Sequence, residues 1–122
     1  MQRVKKCFEE YGADYIGTME RFLNNEALYV RLLGKLFPNE ELRRLGAAME
    51  AGDQDGAFKA AHTLKGVAGN LGLTPLYETL CAIVERLRAK EEWAEYPALY
   101  QAVQMEFRRA EEFWTVLKRL TE

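Results

Sequence analysis

Apolar residues recur three and four positions apart along nearly the whole chain, and strict alternation is absent, so the sequence reads as amphipathic helices with no strand. A short first helix is expected from about Arg3 to Tyr11, with Val4, Cys7, Phe8 and Tyr11 on one side and Gly12 as its stop. Asp14 then caps a second helix carrying Ile16, Met19, Phe22 and Leu23. Asn24 and Asn25 break it and cap a third, Glu26 to Phe37, with Leu28, Leu32, Leu33 and Leu36 inward. Pro38 ends that helix, because a proline disfavours helical geometry in the residue before it. Asn39 caps a fourth helix that opens on Glu40 and Glu41, buries Leu42, Leu45 and Met49, and stops at Gly52. Asp53 caps a fifth that runs to about Leu71 and closes at Gly72. Thr74 and Pro75 form a cap and first turn for a sixth, with Leu76, Leu80, Ile83, Val84 and Leu87 inward. A polar break at Lys90 to Glu92 precedes a long last helix with Pro97 in its first turn and a stripe of Leu99 or Tyr100, Val103, Phe107, Ala110, Trp114 and Leu117. Short links between long helices imply antiparallel neighbours, and so an all-α bundle.

Composition narrows the function. With 122 residues, 48% of them hydrophobic, the chain is expected to form one domain, 1–122, around a single core. Its two halves carry nine basic against ten acidic and eight basic against nine acidic residues, so neither suits a run of phosphates and nucleic acid is not expected as a partner. The longest apolar run, Leu80 to Val84, falls far short of the roughly 20 residues that span a bilayer. No apolar stretch follows the early basic residues, so no secretory signal is expected. Cys7 and Cys81 make no metal-ligand spacing and no disulfide framework; they read as small buried residues of a cytoplasmic protein. One histidine in the chain leaves no multi-histidine metal site, and no metal ligand set is expected. Trp93, Trp114 and Phe107 read as core, and the Glu91-Glu92 and Arg108-Arg109 pairs as solvated faces.

The fifth helix departs from an ordinary amphipathic pattern. On a helical wheel Ala57, Ala60, Ala61, Leu64, Val67, Ala68 and Leu71 form one apolar arc of mostly small residues, which lets neighbouring helices approach closely. His62 lies on the other side, among Asp55, Phe58, Lys59, Lys65, Gly66, Gly69 and Asn70. Gly66 and Gly69 sit in the helix interior, where each costs about 1 kcal/mol relative to Ala, a cost that a purely structural helix would avoid. Their bare backbone leaves a smooth cleft beside the imidazole. Lys59 and Lys65, at i−3 and i+3, could hold an anion attached to the ring, and Phe58, at i−4, adds an apolar ring to the same side. Gly56, in the first turn, is expected to loosen the start of the helix.

A neutral imidazole is a good nucleophile near neutral pH. An exposed one with nearby positive charge and steric clearance can accept a phosphoryl group, since the in-line displacement needs positioning and charge neutralisation more than covalent machinery. The chain has neither G-x-x-x-x-G-K-[ST] nor G-x-G-x-x-G, so a donor protein must bring that group.

The run Ala61-His62-Thr63-Leu64-Lys65-Gly66-Val67-Ala68-Gly69-Asn70-Leu71-Gly72 resembles the signature of histidine-containing phosphotransfer (HPt) domains, A-H-x-L-K-G-x-A-x-x-L-G. The resemblance extends upstream through Phe22-Leu23-Asn24-Asn25-Glu26 to Phe37 and through Ala51-Gly52-Asp53; in the last third only length and helicity match. It implies an antiparallel, up-down-up-down four-helix bundle with additional short N-terminal helices. It implies His62 as phosphoacceptor, Lys65 steadying the phosphoryl oxygens and Gly66 leaving room for the partner, with Phe58, Lys59 and Gly69 as a candidate docking surface. The implied partners are receiver domains of response regulators, which bring the phospho-aspartate and the Mg²⁺, and sensor or hybrid histidine kinases; the chain itself needs no cofactor and has no kinase activity. The expected form is a monomer that relays a phosphoryl group between receiver aspartates, and Met1 close to the first helix favours a free-standing protein. The amino-terminal phosphotransfer domain of chemotaxis-type kinases shares the motif and stays open as an alternative. So does a helical bundle that binds a receiver or partner helix without phosphoryl transfer.

Overall fold

A computed structural model describes residues 2–89 and 96–122, and among these residues every regular element is a helix. In order they are α1 (Gln2–Tyr11), α2 (Tyr15–Arg21), α3 (Glu26–Gly34), α4 (Glu40–Ala51), α5 (Gln54–Asn70), α6 (Thr74–Arg88) and α7 (Tyr96–Thr121). The expected break at Lys90–Glu92, with Glu91, Glu92 and Trp93, lies outside the described residues.

The helix starts follow from side-chain chemistry. Asp14, Asn25, Asn39 and Asp53 each sit in extended geometry and accept a hydrogen bond from the backbone N–H three residues on, as an N-cap does. Gly56 serves the cap of α5: its N–H is the donor to Asp53, at 3.0 Å, and a Cβ there would press on the capping carboxylate. The sixth helix departs from expectation. Leu73, not Thr74, is the cap residue and no side chain caps it, although Pro75 does stand in the first turn.

Packing joins α4 to α5, α5 to α6, α6 to α7, and α7 back to α4, while α1 and α3 lie on α7 and α2 on α1. One continuous core takes in buried side chains from all seven helices, with Phe8, Tyr29, Leu33, Leu45, Leu80, Ile83 and Leu117 fully enclosed.

Several expected inner positions shift. In α3 the innermost residues are Tyr29 and Leu33, and Leu28 and Leu32 are only half-buried. The α-helix stops at Gly34, and Lys35, Leu36 and Phe37 continue with tighter i→i−3 bonds up to Pro38. Gly34 lies bare against the Trp114 ring, which donates its Nε1–H to the Val30 carbonyl at 3.1 Å. Trp114 is therefore half-buried, and the full burial expected of it belongs to Phe113. In α4 only Leu45 is buried, with Leu42 and Met49 half-buried. The two-turn α2 hides Thr18 and Met19 but leaves Ile16 on the surface, and Leu23 follows it in left-handed geometry, 82% exposed. Cys7 and Cys81 are free and half-buried, and burial together with Glu10 pushes the Cys7 thiol up. Arg109 is more than a solvated charge: it covers the Tyr11 ring and donates to the Tyr11 carbonyl.

Candidate functional site

The fifth helix is held at both ends. Asp53 caps its start. At its end Gly72 takes a left-handed φ of 70°, and the Leu73 N–H reaches back to the Ala68 carbonyl, the closing pattern for which glycine is favoured. Two side chains from the N-terminal helices tie this end down. The buried Tyr29 hydroxyl donates to the Leu71 carbonyl at 2.6 Å, and burial raises its pKa above the ordinary phenol range. Arg21 donates to the carbonyls of Asn70, at 3.2 Å, and Gly69, at 3.4 Å. Cations are favourable at a helix C-terminus, where unpaired carbonyls gather.

The inward face is as expected at Ala57, Ala60, Ala61, Leu64 and Ala68, all buried. Val67 is the exception, at 37% exposure. A wheel records direction but not where the neighbouring helix ends. Helix α4, which packs on α5, has 12 residues, about 18 Å, whereas Val67 lies roughly 21 Å along α5 from Asp53.

The outward face carries His62, which is exposed, and among the described residues its imidazole makes no hydrogen bond or ion pair. Its neighbour is Phe58, whose ring centroid lies 5.6 Å away at a tilt of 33°. Phe58 is half-buried against the core, with the Arg88 guanidinium over its ring at 5.8 Å, so it belongs to the α5–α6 seam as well as to the surface.

A groove beside the imidazole brings together His62, Lys65, Gly66 and Gly69 with Arg21, Asn70 and Tyr77. Lys59 is not in it. This lysine is exposed and faces a separate hollow along α4 that includes Glu41, Arg44 and Thr63, so the two lysines stand on opposite sides of the histidine.

The two helix-interior glycines differ. A Cβ on Gly66 would meet nothing within 4 Å, so the backbone there is open to an incoming body. A Cβ on Gly69 would stand 3.2 Å from two atoms of the Tyr77 ring, so its bareness serves the packing of α6 on α5. That ring in turn lies under the Lys65 ammonium, 6.0 Å from its centroid.

Arg21 and Tyr77 were not singled out from sequence. Both come from other helices, and no local spacing announces that they reach α5. Among the described residues no three His, Cys, Asp or Glu side chains gather as a metal-binding group, and no helix is long and apolar enough to cross a membrane.

An exposed, unbonded imidazole, with a lysine on one flank and bare backbone on the other, can act as a nucleophile toward a phosphoryl group presented from outside. A family model described as Hpt domain matches residues 39–113. The match starts at the cap of α4 and runs through most of α7, so it takes in the last third, where residue-level likeness was weak, and leaves out the Phe22–Phe37 segment. No curated protein and no solved structure matches the chain.

Proposed function

The chain belongs to the Hpt domain family, whose members serve phosphotransfer in phosphorelays, and from that premise we propose that His62 is the residue that accepts the phosphoryl group and hands it on. The observation that carries this reading is the free imidazole at the surface of α5, one turn from the open backbone of Gly66. An unprotonated ring nitrogen attacks the phosphorus of a receiver's aspartyl phosphate. The P–O bond to the donor breaks in line, its electron pair leaves on the carboxylate, and an N–P bond now holds the phosphoryl group. In the return step a carboxylate attacks the phosphorus, the N–P bond breaks, and the nitrogen recovers its pair.

Lys65 meets the charge on the phosphoryl oxygens, and Gly66 gives the receiver room to close on the ring. Phe58 and Gly69 border the docking surface, and Lys59 extends it toward α4. Mg²⁺ and the activation of the aspartate come from the receiver, and a histidine kinase is the original source of the phosphoryl group; the chain is a relay without kinase activity of its own.

We place α4 to α7 as an antiparallel, up-down-up-down four-helix bundle with α1 to α3 as added N-terminal helices. Support comes from the two-residue link between α4 and α5, the three-residue link between α5 and α6, and the packing of α7 back on α4. In this reading residues 1–122 act as one monomeric domain, and the two free cysteines suit a reducing cytoplasm.

Incubation with a panel of phosphorylated receivers tests the reading. Transfer predicts an acid-labile, alkali-stable modification of the chain. A stable complex with any of them and no modification would make it a binding module instead.

A further inference from the structure

The Lys65 side chain has no acidic neighbour at the positions a turn away on α5: Ala61, His62, Ala68 and Gly69 stand there. Among the described residues it forms no ion pair. Its ammonium instead rests over the Tyr77 ring, and that ring lies against α5 where Gly69 has no side chain to hold it off. The arrangement matters chemically. A carboxylate partner would neutralise the lysine and compete with a phosphoryl group for it, whereas a ring face attracts the cation weakly through its quadrupole and leaves the charge in place.

We propose that Tyr77 is a positioning residue for phosphotransfer: its ring, seated on the bare backbone at Gly69, stations the Lys65 ammonium beside His62 with its charge uncompensated, ready to close on the phosphoryl oxygens. This rests on the reading of His62 as phosphoacceptor. It gives Gly69, an unconstrained position in the A-H-x-L-K-G-x-A-x-x-L-G pattern, a duty distinct from that of Gly66. It also makes α6 a contributor to the site through a residue 15 positions beyond the histidine.

The test uses the whole chain and phosphoramidate as a small phosphoryl donor, so that receiver docking plays no part. The rate of phosphorylation is followed by the mass of the added group, and the Lys65 ε-methylene protons are followed by NMR. Tyr77→Phe keeps the ring and is expected to retain the wild-type rate. Tyr77→Leu is expected to slow phosphorylation about two- to fivefold, the kinetic equivalent of one exposed cation–π contact, and to remove the ring-current shift from the Lys65 signal. Added to Lys65→Ala, Tyr77→Leu should slow the reaction no further, because its effect passes through the lysine. Equal rates for Tyr77→Leu and wild type, an unmoved Lys65 signal, or a full additional loss in the double variant would each overturn the platform while leaving His62 as acceptor. A wild-type chain that takes no phosphoryl group from phosphoramidate or from any receiver would overturn the reading of His62, and the platform with it.

Discussion

Both faces of α5 carry small residues, alanines inward and glycines outward, and put them to opposite uses. On the inward face Ala57, Ala60, Ala61 and Ala68 are buried, and their smallness lets α4 and α6 come close to the helix backbone. On the outward face Gly66 is small with nothing near it. Smallness inside is filled by the protein's own helices; smallness outside, at Gly66, leaves open space. Gly69 stands between the two cases, since it faces outward and is nevertheless covered, by Tyr77. Residue type alone does not separate Gly66 from Gly69. What separates them is the space each missing side chain opens.

That contrast can be broken from either side. The largest effect is expected from Gly66→Gln, which fills the open space beside His62. A clash of this kind costs about 1–3 kcal/mol, or about five- to 150-fold in the rate of transfer from a phosphorylated receiver. The rate with phosphoramidate should hardly change and the melting temperature should not fall, because the side chain enters open space and adds helix propensity. Equal transfer rates from the receiver would remove Gly66 from the docking surface.

Ala61→Leu makes the converse test on the inward face. Ala61 is fully enclosed, and overpacking there should destabilise the fold by about 1–3 kcal/mol, read as a lower urea midpoint. A smaller effect compares the glycines directly. Gly66→Ala gains helix propensity in open space and should stabilise by about 1 kcal/mol. Gly69→Ala gains the same propensity but pushes on the Tyr77 ring, so its net gain should be clearly smaller. Equal stabilisation by the two substitutions would erase the distinction drawn between them.

Much of this was readable from the chain. Four helix starts were marked by Asp14, Asn25, Asn39 and Asp53, because an N-cap is a local bond between a residue and a backbone N–H three positions on. The outward placement of His62 followed from a wheel on a helix long enough for its faces to be distinct. The same wheel failed at Val67, and the three-and-four spacing failed at Ile16 and Leu23: α2 ends at Arg21, so Leu23 falls beyond the helix in left-handed geometry. Thr74 failed as a cap because the turn that closes α5 at Gly72 places Leu73 at the boundary of the next helix. Arg21 and Tyr77 were invisible for a related reason: each reaches the site from another helix, Arg21 across 49 residues to the Asn70 carbonyl.

The most direct test of the account compares the wild-type chain with His62→Gln after exposure to a phosphorylated receiver that labels the wild type. A single N-phosphoryl group mapped to residue 62 in the wild type, and no label on a His62→Gln variant that melts at the same temperature, is the predicted result. Label on folded His62→Gln, or on any other residue of the wild type in place of His62, would contradict it.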